Sequence, residues 1–154
     1  MNRLRNGILA ITICMLPLPS SAQSSIADQE VMAALDAFLE GWNSRNVERF
    51  ADALHFPHFI LNTGSARIFL ERSDLTVLGD QAWAHVPQEW NHTEWRKREI
   101  VQRIGDVVHI TGTWARINHD GEVFRTADVL YVVVKNEGRW RIQARSGNRG
   151  PRSP

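Results

Sequence analysis

Apolar positions in the first third of the chain recur with helical spacing. Val31, Leu35, Phe38, Leu39 and Trp42 stand at i, i+4, i+7, i+8 and i+11, which is one face of an amphipathic helix. Ser25 and Asp28 form a start resembling a capping box, and Gly41 with Asn43-Ser44 marks the end. Asn46 then caps a second short helix that carries Val47, Phe50, Ala51 and Leu54 on one side. Pro57 stops helical structure. Phe59-Ile60-Leu61 and Ile68-Phe69-Leu70, separated by the turn cluster Asn62-Thr63-Gly64-Ser65, predict a hairpin. Gly79-Asp80 opens a third short helix from Gln81 to about Trp90, kinked or ended by Pro87.

From His92 onward the period changes to that of strands. Trp95 to Ile104 reads as a long polar strand with one wet face, and Gly105-Asp106 as a turn. Val107 to Ile117 and Val123 to Lys135 are joined across Asp120-Gly121, a strong hairpin signal. The run Val129 to Val134 is apolar without alternation, so both of its faces are expected to be covered. Glu137-Gly138 turns the chain into a last strand, Trp140 to Ala144. Helices followed by a meander of strands make the class α+β.

The N-terminus has a different composition. Arg3 and Arg5 precede an apolar run from Ile8 to Leu18, and Ser20-Ser21-Ala22 offers small residues at a cleavage position. This is the layout of an export signal, and the run is too short to cross a bilayer of about 30 Å as an uncleaved anchor. Cys14 is the single cysteine of the 154 residues, and Ile13 before it is not the small residue that a lipoprotein signal carries. Removal of residues 1–22 therefore leaves a chain without disulfide, thiolate or cysteine ligand. It also lowers the 18 basic residues by two, Arg3 and Arg5, against 17 acidic, turning a net charge of +1 into −1. Residues 23–146 form one domain. Residues 147–154, of Gly, Asn, Arg, Pro and Ser, form a tail expected to be disordered. The expected location is periplasmic or secreted.

Two stretches carry a resemblance. The first is Ala33-Ala34-Leu35-Asp36-Ala37-Phe38-Leu39-Glu40-Gly41-Trp42-Asn43-Ser44-Arg45-Asn46 with Phe50-Ala51, an amphipathic helix ending in a polar corner before a second helix. The second is Gly138-Arg139-Trp140-Arg141-Ile142, a tight turn feeding a Trp into the last strand. Together with the order of elements, they resemble the nuclear-transport-factor-2-like superfamily, which includes SnoaL-like and ketosteroid-isomerase-like proteins. The resemblance implies a cone: a curved antiparallel sheet wrapped around three N-terminal and mid-chain helices. It also implies a small-molecule pocket and dimerisation through the sheet. It does not imply one reaction, since some relatives isomerise, hydrate, dehydrate or cyclise while others bind or assemble.

Few residues present themselves for chemistry. Asp128 lies between Ala127 and Val129 in an apolar strand, where a carboxylate is costly unless paired or poised. The resemblance places a carboxylic acid on this penultimate strand, implying a general acid or base; a salt bridge to Arg125, Arg141 or Arg145 is the structural alternative. Alternation puts Asp128 with His109, Thr111 and Thr113, joined by Gln143 and Arg145 if Glu137-Gly138 is a two-residue loop or by Ile142 and Ala144 if the loop has three residues, and puts Trp114, Arg116, Arg125 and Tyr131 on the opposite face. The implied acid favours the first face for the pocket, and the aromatic bulk favours the second. His58 is a candidate acid–base group at a pocket mouth, or a hydrogen-bonded structural histidine. Arg145, Tyr131 and Trp114 are candidate ligand contacts, as is Asn62, which also reads as a turn residue. Trp83 and His85 would cap the pocket, although Trp83, Val86 and Trp90 also have core spacing. His55 and His58 flank Pro57 and have no third ligand at a telling spacing, so no metal site is expected. Arg96, Lys97, Arg98 and Arg103 alternate with Glu94 and Glu99, the mixed pattern of a solvated face rather than of a nucleic-acid surface.

These observations predict an exported protein, expected to be a homodimer, that binds a small apolar or aromatic molecule. No cofactor, nucleic acid or, after signal removal, membrane is expected. Asp128 and His58 would serve a cofactor-free isomerase or lyase reaction. The alternative is a non-catalytic binding or assembly module.

Overall fold

The computed structural model describes residues 20–147, with side chains from residue 26 onward. The expected export signal falls outside this range except for the backbone of residues 20–22; of the expected tail 147–154, Gly147 ends the last strand and residues 148–154 fall outside the range. Among the described residues, no helix is long and apolar enough to cross a membrane.

The helical stripe fixes the first element. Helix α1 (Ser20–Asn43) begins earlier than Ser25 and buries Val31, Leu35 and Phe38 on the face that periodicity selects. Helix α2 (Val47–Asp52) starts at Asn46, whose side chain accepts from Arg49 N at 3.0 Å. The two helices touch closely at Gly41: a Cβ there would stand 2.8 Å from Phe50 Cα. Leu54, expected on α2, instead opens strand β1 (Leu54–Asn62), which forms a hairpin with β2 (Ser65–Phe69).

The stretch between hairpin and meander departs from expectation. A short helix α3 (Arg72–Thr76) forms where none was read, held by Asp74, whose carboxylate accepts from Leu70 N at 2.7 Å and Glu71 N at 3.1 Å. The expected helix from Gln81 to Trp90 is a single 3₁₀ segment, Gly79–Trp83, followed by turns. Pro87, which has no N–H to donate, lies in a turn that Trp90 N closes on its carbonyl at 3.1 Å.

Strands β3 (Trp90–Ile104), β4 (Val107–Asn118), β5 (Val123–Asn136) and β6 (Arg139–Gly147) follow the predicted meander. The six strands form one sheet in the order β2-β1-β6-β5-β4-β3. Neighbours are antiparallel except β1 and β6, which are parallel, so the sheet is mixed rather than wholly antiparallel.

The sheet presents α1 with one face. Cross-strand partners share a face, and the pairs Thr93–Arg116, Trp95–Trp114, Ile110–Tyr131, Tyr131–Arg145 and Ile60–Arg145 define the side toward the helix. Val108, Ile110, Tyr131, Val133 and Ile142 from this side are fully buried with Val31 and Leu35 of α1. Each such side chain contributes about 1.5–3 kcal/mol through burial. Arg98 and Arg103 on β3 reach Asp36 and Asp28 of α1, both at 2.5 Å, and tie the helix along the sheet edge.

Candidate functional site

The C-terminal end of α1 is locked to the sheet by a two-way amide contact. Asn43 Nδ2 donates to Thr93 O at 2.8 Å, and Thr93 N donates to Asn43 Oδ1 at 2.9 Å. Thr93 Oγ1 accepts from Trp90 Nε1 at 2.9 Å. This clamp sets the last turns of α1 over the sheet, and a recess of about 60 Å³ remains between them. Phe38, Leu39 and Trp42 of α1, with Trp95, Trp114 and Tyr131 of the sheet, form its apolar walls. Gly112 makes room for one of these walls, since a Cβ there would lie 3.2 Å from Trp95 Cζ3.

The aromatic rings hold one another in place. Tyr131 packs edge-on against Trp95 and tilts steeply against Phe38, each at 5.6 Å between centroids. Burial pushes the Tyr131 phenol up to about 12, against an opposing effect of the Arg145 charge, so it stays protonated at neutral pH. Trp95 Nε1 is buried and has no acceptor among the described residues. Trp42 lies 6.0 Å from His85, in the turn after the 3₁₀ segment.

Two further recesses adjoin the first through His85 and Arg145. One, of about 150 Å³, shares Trp114 and Arg116 with the first as well and adds Asn62, Arg125 and Val129; the other, of about 260 Å³, adds Ile60, Asn62 and Arg67. Their charge is one-sided: among the described residues, no Asp or Glu lines any of the three. Arg116 is buried over the Trp114 ring at 5.4 Å. Burial, then the charges of Arg125 and Arg145, lower its pKa to about 10, which still leaves it charged at pH 7.

The structure brings together Arg145, Tyr131, Trp114 and Asn62 around these recesses, with His85 beside them. It does not bring Asp128. Asp128 is exposed on the opposite face, where it accepts from Thr113 Oγ1 at 2.6 Å, and it lines a separate groove with Lys97 and Leu130. Of the two faces left open, Asp128 takes the outer one; Arg145, which a two-residue Glu137-Gly138 turn would place beside it, pairs with Tyr131 on the inner face because the register shifts at Gln143. In β5 the bulky residues Val129, Tyr131 and Val133 turn inward, and alternation sends Asp128 out. The alternative salt bridge is also absent, with no arginine within 4 Å of its carboxylate among the described residues.

His58 faces inward but lies beneath the recess, buried, with Nδ1–H donating to Ile142 O at 3.3 Å. Burial, then the Arg145 charge, lower its pKa to about 4, so it is neutral and a weak base. Trp83 is core rather than cap: it is buried, donates to Trp42 O at 3.1 Å and packs on Trp42 and Phe50. His55 donates Nε2–H to Val134 O at 3.1 Å and Arg139 O at 3.3 Å, a structural role. Among the described residues, no group of three or more His, Cys, Asp or Glu is arranged to hold a metal. Sequence reasoning missed Phe38, Trp42, Thr93, Trp95 and Arg116 as site residues. Their signal was the choice of face, which the aromatic bulk of Trp114 and Tyr131 carried.

Comparison with solved structures gives the class. The chain superposes on an NTF-2 like protein of unknown function from Shewanella oneidensis with a TM-score of 0.62 and 14% identity, covering 79% of this chain and 98% of that one. A protein of unknown function with a cystatin-like fold from Nostoc punctiforme gives 0.68 and 16%, over 84% and 96%. A ketosteroid isomerase-like protein from Erwinia carotovora gives 0.57 and 17%, over 80% and 96%. At these identities the likeness is one of fold: the cone of the NTF2-like proteins. The family follows from the sequence: residues 29–147 match the model described as NTF2-like protein (DUF6841), and the chain belongs to that family. No functionally curated protein matches the sequence significantly.

Proposed function

We propose that this protein is an exported small-molecule-binding protein whose ligand enters between the C-terminal half of α1 and the concave face of the sheet. The observation that carries the reading is the aromatic recess of Phe38, Trp42, Trp95, Trp114 and Tyr131, about 60 Å³, which shares His85 and Arg145 with two larger recesses of about 150 and 260 Å³. Apolar walls with a few convergent polar groups are what small-molecule sites share. Proton transfer through Asp128 and His58, the groups singled out from the sequence, is disfavoured, while His85 is the one histidine among the described residues that lines all three recesses. A proton-transfer reaction needs a group that exchanges a proton near the working pH. Here Tyr131 holds its proton up to about pH 12, His58 is neutral down to about pH 4, and the carboxylate of Asp128 is across the sheet. Export rests on the N-terminal pattern of Arg3, Arg5, Ile8 to Leu18 and Ser20-Ser21-Ala22. A homodimer through the outer sheet face is supported by the outward row of Leu130, Val132 and Val134, of which Leu130 is exposed.

The test reads the six tryptophan indole N–H signals of the full chain by NMR while single- and double-ring compounds are added. Trp42, Trp95 and Trp114 line the recess, and Trp140, bound at 3.1 Å to Glu30 on α1, serves as a control. Compounds that bind as proposed shift the first three and leave Trp140 in place, and Leu39→Trp, which fills the recess, abolishes the shifts. A collection in which no compound moves these three signals, or binding that survives Leu39→Trp, would overturn the reading.

A further inference from the structure

We propose that Arg116, Arg125 and Arg145 form an anion subsite at the mouth of the recess, and that the ligand is an aromatic or cyclic carboxylic acid whose ring enters between Phe38, Trp42 and Trp95. The proposal rests on the small-molecule reading above and names the chemical class of that ligand.

Three observations carry it. The cluster is built by the sheet: Arg116 and Arg125 are direct cross-strand partners on β4 and β5, and Arg145 pairs with Tyr131 on β6. All three line one recess of about 150 Å³ with Asn62 and Trp114. Like charges on neighbouring strands are unfavourable in the empty protein. Arg116, moreover, is only 8% exposed and has no carboxylate within 4 Å among the described residues. A buried cation without a counter-charge is costly, and one arriving with a ligand offsets that cost. Finally, the charge stands beside aromatic walls. Arg116 lies over Trp114, and Arg145 lies 6.0 Å from the Phe38 ring.

The charge comes from planar guanidinium groups on strands. The backbone amides around them belong to sheet ladders, and among the described residues no helix N-terminus lines the recess. Planar forks suit a planar carboxylate, which they grip with paired N–H donors, whereas phosphate sites commonly draw on helix N-termini.

The test compares 2-naphthoate, 2-naphthamide and 2-naphthyl phosphate on the full chain, with the tryptophan indole signals as the readout. The carboxylate is expected to shift Trp42, Trp95 and Trp114 and to bind at least about tenfold more tightly than the amide, the scale of one charge-assisted contact. Arg116→Met is expected to lower the acid-to-amide affinity ratio, measured within the variant itself, from at least about tenfold to about twofold or less. Arg125→Met, at the less buried of the two cross-strand partners, tests the same preference if Arg116→Met does not fold. Equal binding of acid and amide, or an acid preference that survives both variants, would overturn the anion subsite and leave the pocket standing. A phosphate that binds more tightly than the carboxylate would overturn the assignment of the head group. Failure of all three compounds to move the recess signals would overturn both the subsite and the pocket.

Discussion

The two faces of β4 and β5 spend charge in opposite ways. On the outer face Thr113 and Asp128 pair at 2.6 Å in solvent, where a hydroxyl and a carboxylate are well hydrated with or without each other. One residue further along each strand, on the inner face, the chain places Trp114 and Ala127, and beyond them the buried Arg116 beside Arg125. Residue type alone does not separate the two cases, since both faces carry ionisable side chains. What separates them is access to water: the same unit of charge is inexpensive on one side of a strand and costly on the other. Costly charge that persists needs a reason, and cheap charge does not.

That contrast can be strained from either side. The largest effect is expected at Tyr131, fully buried between Phe38 and Trp95. Tyr131→Ala should cost about 3–5 kcal/mol in denaturant unfolding, the range for deleting a buried ring. A loss below about 1 kcal/mol would mean that the inner face is not packed as described.

His58 adds a pH dependence. Its folded pKa of about 4 lies below the unfolded value of 6.5, so between these values the unfolded chain binds the extra proton. Stability should therefore be fully present above about pH 6.5 and fall as the pH drops toward 4, by about 3 kcal/mol from this residue. His58→Gln should be less stable at pH 7 yet lose distinctly less on acidification. Parallel pH profiles for the two proteins would contradict the buried neutral state.

The smallest effect is expected on the outer face. Asp128→Asn should change stability by no more than about 0.5 kcal/mol, because the side chain is exposed and its hydroxyl partner remains. It should also leave the affinity of any recess ligand unchanged. A loss of several kcal/mol would instead reveal a charge contact that the outer face does not show.

The strands were legible because turn chemistry punctuates them. Gly105, Gly121 and Gly138 all have positive φ at the turns read from sequence. α3 was not legible: five residues cannot display a helical period, and its cap depends on Asp74 reaching back to Leu70 and Glu71. The helix drawn through Gln81 to Trp90 failed on Pro87. For the site, the sequence correctly grouped Trp114, Arg116, Arg125 and Tyr131 on one face, and left open whether that face looked inward. Register breaks at Trp95/Lys97 and Arg116/Ile117 add to the difficulty, since each bulge shifts the in–out alternation beyond it. Trp95, in a strand read mainly as polar, was therefore invisible as a pocket wall.

The parallel pairing of β1 with β6 also sets a schedule. β1 ends at Asn62, and its partner strand begins only at Arg139. During synthesis the first hairpin must wait, one edge open, until nearly the whole chain has been made. The last strand closes the sheet's middle, joining an early half to a late half, and such distant pairing makes for slow folding. A chain that lacks the residues from 139 onward would hold a hairpin and a meander with no seam between them.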